Sequence, residues 1–155
     1  MRTRLVVAAL VAFAVFGIVA GTSPAAAARL PGSDTGGAPL TATLSGTENQ
    51  SGTATLTVNP GQQEVCYAIT VANLQGGVIL AHIHVGGAGV NGPIVVPLFS
   101  FTPPTTQTHF SGCVPGSRAI LRAILANPSG YYVNVHTTVF PAGAVRGQLS
   151  HTHRV

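Results

Sequence analysis

From about residue 40 onward the chain is punctuated. Short runs of β-branched residues are broken by Gly, Pro and Asn turn signals about every eight to twelve residues. A chain divided this way must bury its apolar side chains on alternate positions of strands. In Thr53-Ala54-Thr55-Leu56-Thr57-Val58 the apolar residues face one way and the threonines the other, and Val65, Tyr67, Ile69 and Val71 repeat the pattern. The alternation predicts strands at 40–44, 52–58, 65–71, 78–85, 94–98, 106–111, 131–137 and 144–149. Turns are expected at Asn59-Pro60-Gly61, Gln75-Gly76-Gly77, 86–93 and Pro141-Ala142-Gly143. One segment, 117–127, departs from this period: its apolar residues at 120, 121, 124 and 125 have helical spacing, Ser117 suits an N-cap and Asn127-Pro128 a stop. Together these signals describe one domain, a sandwich or barrel of strands carrying one short helix.

The N-terminus has a different logic. Met1-Arg2-Thr3-Arg4 is basic, 5–21 is an unbroken apolar run, and Pro24 with Ala25-Ala26-Ala27-Ala28 supplies a helix breaker and a small-residue cleavage site. This is the pattern of a secretory signal peptide over 1–28, cut after Ala27 or Ala28. The alternative is an uncleaved anchor, because the run approaches the roughly 20 residues that span a bilayer. Residues 29–38 form a Gly/Pro/Ser-type lead-in expected to be flexible, and 39–155 form the folded domain. After cleavage no transmembrane segment is expected, and the domain belongs in a secreted or extracytoplasmic setting.

Charge narrows the choice of partners. Only 6% of the 155 residues are charged, against about 25% in an average soluble protein. Beyond residue 28, five Arg face Asp34, Glu48 and Glu64, a net charge of +2. That is too weak to steer nucleic acid or an acidic membrane, and it excludes a polybasic binder or a charge-laced coiled coil. The two cysteines, Cys66 and Cys113, are expected to pair in an exported chain as a structural disulfide. The alternative is a pair of soft metal ligands, although neither has a metal-binding neighbour at close spacing.

Histidine is the residue type whose placement calls for explanation. In a strand, His82 and His84 share one face while Ala81, Ile83 and Val85 share the other. In 131–137, Tyr132, Asn134 and His136 alternate with Val133 and Val135, so His136 also lies on the polar side of its strand. If the two strands are neighbours, three imidazoles converge on the outside of the fold. Three nitrogen donors on rigid strands suit copper or zinc and leave a coordination position open. The plainer reading is that each ring simply hydrogen-bonds to a loop carbonyl. His109 is a possible fourth ligand, Asn134 and Arg146 are candidate supporting groups, and His151-Thr152-His153 reads as a frayed, metal-binding tail.

Other chemistries lack their residues. A serine hydrolase needs a nucleophile, a His and a carboxylate held together, and a glycosidase needs two flanking acids. Three acids, one of them in the lead-in, serve either poorly. Gly86-Gly87-Ala88-Gly89 lacks a phosphate-binding lysine and reads as a turn that requires positive φ.

The histidine strands also carry a resemblance. Ala81-His82-Ile83-His84, then Gly86, Gly89 and Asn91-Gly92-Pro93, is similar to the CHRD domain, a module named after chordin and found in many bacterial exported proteins. Ile124 to Pro128, Tyr131 to Thr137 and Phe140 to Leu149 extend the similarity, as does Leu40 to Gly46. It covers roughly 40–150, with a departure at Thr47-Glu48-Asn49-Gln50, where members often carry a Glu-Val-Pro-Pro-like stretch. The resemblance implies a β-sandwich outside the cytoplasm with no established enzymatic activity. A fainter similarity links His82, His84 and His136 to the copper-ligand strands of copper/zinc superoxide dismutase, with Arg146 in the place of a substrate-guiding charge. The zinc loop of that family has no counterpart, because 86–93 holds neither His nor Asp. The combined expectation is an all-β, Greek-key or immunoglobulin-like sandwich with one short helix. Its leading role is as a secreted non-enzymatic module that contacts a protein or cell-envelope partner. The alternative is a copper-binding protein for sequestration or redox.

Overall fold

The computed structural model describes residues 37–152. The expected signal peptide (1–28), most of the lead-in (29–36) and His153 lie outside the described residues. The strands are β1 (Ala38–Ser45), β2 (Ser51–Asn59), β3 (Glu64–Ala72), β4 (Val78–Val85), β5 (Ile94–Thr105), β6 (His109–Pro115), β7 (Tyr131–Thr137), β8 (Val145–Gln148) and β9 (Ser150–His151). The helix α1 (Arg118–Ala126) and a single 3₁₀ turn (Pro128–Gly130) connect β6 to β7. All pairing is antiparallel, in the order β5-β4-β7-β8-β1-β2-β3-β6, with β9 against β1. The connections β3→β4 and β6→β7 join strands that are not neighbours, which gives the expected Greek-key character to a barrel-like sandwich.

The alternation read from sequence builds the core. Leu40, Ala42 and Leu44 of β1, Ala54, Leu56 and Val58 of β2, and Val65, Tyr67, Ile69 and Val71 of β3 are buried. They meet Ala81 and Ile83 of β4, Val96 and Leu98 of β5, and Val133 and Val135 of β7 in one cluster. Each fully buried aliphatic side chain contributes about 1.5–3 kcal/mol relative to exposure. At the two ends of the strand path, Phe99 of β5 stacks on Phe110 of β6 with ring centroids 4.6 Å apart, so aromatic packing draws the fold closed. The helix forms as its spacing indicates: Ser117 Oγ accepts from the Ile120 amide, and Leu121 and Ile124 face the core.

Two strand expectations need correction. β5 runs to Thr105, through Pro103 and Pro104, instead of ending at 98; as the outermost strand of the path it tolerates residues with no N–H to donate. β6 starts at His109 rather than 106 and continues to Pro115, because its ladder with β3 extends past Cys113. At the termini of the domain, Ala38, assigned to the lead-in, already pairs with Val58, and His151, assigned to a frayed tail, pairs with Leu40. Cys66 and Cys113 stand directly opposite each other on β3 and β6 and form a disulfide. Glu64, two residues before Cys66, corrects the expectation that neither cysteine has a metal-binding neighbour at close spacing, since the three make a group of metal-ligand type; sulfurs in a disulfide, however, are not thiolate ligands.

Candidate metal centre

β4 and β7 are hydrogen-bonded neighbours, which puts the three expected histidines side by side. In their register Leu80 faces His136, His82 faces Asn134, and His84 faces Tyr132. A register shift between Val78 and Leu80 returns Val78 to the core while keeping His82 and His84 on the opposite face. One ring nitrogen from each of His82, His84 and His136 lies within 4.8 Å of the others. A single point therefore lies within about 3 Å of all three, close to metal–nitrogen bonding distance.

The rings are oriented by backbone carbonyls. His84 Nδ1–H donates to the Gly92 carbonyl at 2.9 Å, and His136 Nδ1–H donates to the Pro141 carbonyl at 3.0 Å. A carbonyl can only accept, so both Nδ1 atoms carry the proton and both Nε2 atoms present a lone pair. Those two Nε2 atoms, and Nδ1 of His82, are buried without a hydrogen-bond partner. The two sequence readings, metal ligation and bonding to carbonyls, are thus not exclusive. One nitrogen of a ring bonds to the loop while the other faces the cluster, an arrangement usual for metal-ligating histidine.

The cluster lies outside the core but not on open surface. His84 is 9% exposed and His136 7%, covered by the loops that follow β4 and β7. Burial, with His136 and His84 as neighbours, pushes the His82 pKa down to about 4. Burial also lowers that of His136, against the raising effect of its bond to Pro141. Both rings are neutral near pH 7, the form that binds a metal.

Glycine makes the carbonyl contacts possible. A Cβ on Gly92 would lie 1.5 Å from the Val85 carbonyl oxygen, so only glycine lets this loop approach the end of β4. Gly143, at φ +133°, packs against the Asn134 amide, whose Nδ2 donates to the Ala142 carbonyl. Tyr132 stacks on His84 at 4.9 Å, nearly parallel, and its hydroxyl accepts from the Gly92 amide. Arg146 stands opposite Asn134 on β8, with Cζ 3.6 Å from the centroid of Tyr132. It donates to Asn91 Oδ1 and the Val90 carbonyl, so it ties down the loop that carries Gly92.

His109 is not part of this arrangement. It is exposed on β6, opposite Thr70, and its Nδ1 bonds to Thr108 Oγ1 at 2.9 Å. Sequence reasoning anticipated loop carbonyls as partners of the rings but not that they belong to Gly92 and Pro141, and it missed the Tyr132 stack; the available signals were the close-packing glycines in Asn91-Gly92-Pro93 and Pro141-Ala142-Gly143.

The fold and cluster define an antiparallel Greek-key sandwich with three imidazoles gathered on its outer face. The chain belongs to the CHRD domain family, whose match spans residues 19–149. No curated protein and no solved structure matches it. Among the described residues no helix is long and apolar enough to cross a membrane.

Proposed function

We propose that this CHRD domain is an exported copper-binding protein whose ligands are His82, His84 and His136. The observation that carries the reading is the set of buried, unpartnered ring nitrogens on three neighbouring imidazoles. Buried polar atoms are rarely left unsatisfied, and those that are call for an explanation such as an ion. Neutral imidazole is a good ligand for copper, and three such donors leave a position for exchange. The apolar leader read over 1–28 and the disulfide favour an oxidising compartment outside the cytoplasm.

The role as a contact module for a protein or envelope partner is compatible with this reading. Val90, Ile94 and Val139 are about half exposed. Ile94 pairs with His84, while Val90 and Val139 belong to the segments that carry Gly92 and Pro141.

The test is calorimetric titration of copper into the purified protein and into a His82→Ala/His84→Ala/His136→Ala variant. His151 and His153 are replaced by Ala in both, so that the tail cannot supply a false site. One equivalent bound tightly and lost in the variant is the expected result. No binding, or equal binding in both proteins, would overturn the reading.

A further inference from the structure

The charge around the cluster bears on which copper ion it takes. Its ligand set is three imidazoles, with no carboxylate among them. The acids among the described residues are Glu48, which is exposed and bonded to Gln75, and Glu64, which lies beside the disulfide on β3. Neither belongs to the histidine cluster, so no ligand anion offsets an ion's charge.

Burial adds to this. With His84 and His136 about nine-tenths covered, the ion gives up much of its hydration. The solvation penalty grows with the square of the charge, so a divalent ion faces roughly four times the penalty of a monovalent one. Many divalent sites offset it with carboxylate or thiolate ligands, and three-imidazole zinc sites offset it with a bound water that ionises at about pH 7.

A fixed cation acts in the same direction. His84, Tyr132 and Arg146 come from the adjacent strands β4, β7 and β8. The first two rings are parallel within 8° at 4.9 Å, and the guanidinium lies 3.6 Å from the tyrosine centroid. Arg146 remains charged at every working pH, and its repulsion of a bound ion scales with that ion's charge.

We propose that this site selects monovalent over divalent ions and holds copper as Cu(I). The proposal rests on the copper-binding reading above. It also assigns Arg146 a role as an electrostatic selector of ion charge, not a guide for an anionic substrate.

The test uses silver(I), a redox-inert monovalent ion that shares the filled d10 valence shell of Cu(I). Ag(I), Zn(II) and Cu(II) are titrated separately into the purified protein, with imidazole nitrogen NMR reporting occupancy of the cluster. The triple histidine variant measures background at the other donors of the domain, among them the exposed His109 and His151. Ag(I) is expected to bind the cluster at least ~10-fold more tightly than Zn(II) or Cu(II). Leu80 faces His136 across the ladder and is partly exposed, so Leu80→Glu places a carboxylate on the cluster's face. It is expected to narrow or reverse the preference. Arg146→Gln, which removes the cation, is expected to narrow it less. Cluster binding of Zn(II) or Cu(II) as tight as that of Ag(I) would overturn this inference and leave the metal site standing. No cluster binding by any of the three ions would overturn the metal site itself.

Discussion

The two halves of the sheet bury similar inner faces and differ on their outer ones. In β1, β2 and β3 the outer face is threonine: Thr43, Thr53 and Thr70 form one row across the strands, Thr41 and Thr55 another, and most of these are exposed. In β4, β7 and β8 the outer face is His82, His84, Tyr132, Asn134, His136 and Arg146, and every residue of β7 is buried. The first face is finished by water. The second lies under loops whose carbonyls, amides and glycines are fitted to particular rings. An alternating strand needs only one apolar face to fold, so a second buried face holding unpartnered nitrogen atoms points to a use beyond folding.

The largest expected effect tests whether the halves are energetically separate. The Cys66–Cys113 disulfide ties β3 to β6 in the threonine half and closes a 47-residue separation. Its removal by Cys66→Ser/Cys113→Ser is expected to destabilise the fold by about 4 kcal/mol through loop-closure entropy. That lowers Tm by about 15 °C. Below the new melting point the metal titration is expected to be unchanged, because β3 lies four strands away from β7 along the sheet path. A weakened histidine site in the folded variant would break the comparison.

Gly92→Ala attacks the other half. The new methyl would overlap the Val85 carbonyl, and relieving that overlap is expected to destabilise by about 3 kcal/mol. Because it displaces the acceptor of His84, metal affinity should fall as well, whereas the disulfide variant loses stability alone. Chemical denaturation with and without metal separates the two outcomes.

Acid probes the same contrast. His82 is held down to about pKa 4 and His136 is also lowered, chiefly by burial. Each binds protons more readily in the unfolded chain, so its contribution is complete above the unfolded value of about 6.5. That contribution is lost as pH falls through the window toward 4. Metal-free protein is therefore expected to lose stability between pH 6.5 and 4, and the triple histidine variant to show a flatter profile. Equal slopes in urea denaturation midpoints would show that the cluster is not the source.

The halves also differed in how far they could be read from sequence. Thr53 to Val58 gives its strand and its inward face directly, because alternation is a side-chain property. The same is true of α1, where Ser117 and the spacing of Leu121 and Ile124 suffice. His82, His84 and His136 were legible as candidates because each sits in phase on the polar side of a strand. Their cover was not legible. The acceptors at Gly92 and Pro141 are backbone carbonyls, which every residue possesses, and their positions depend on how two loops fold back over β4 and β7. The length of β5 was hidden for a related reason: Pro103 and Pro104 have no N–H to donate, and they suit a strand only once it is known to be outermost in the path.

The smallest expected effect completes the comparison. Thr53 is exposed, in a row with Thr43 and Thr70, and its partners on either side are other threonines. Thr53→Ser keeps the hydroxyl and removes one methyl from a solvated face, so it is expected to change stability by less than about 0.5 kcal/mol. The metal titration should not move. Asn134→Ser, a comparably small change on the other half, removes the donor to the Ala142 carbonyl beneath a closed loop. Leaving that acceptor short of a partner and a void under Gly143 is expected to have several times the effect, about 2 kcal/mol. Equal small effects at the two positions would mean that the loops over β7 yield as freely as water does over β2, and that the buried outer face is not a rigid frame for the histidines.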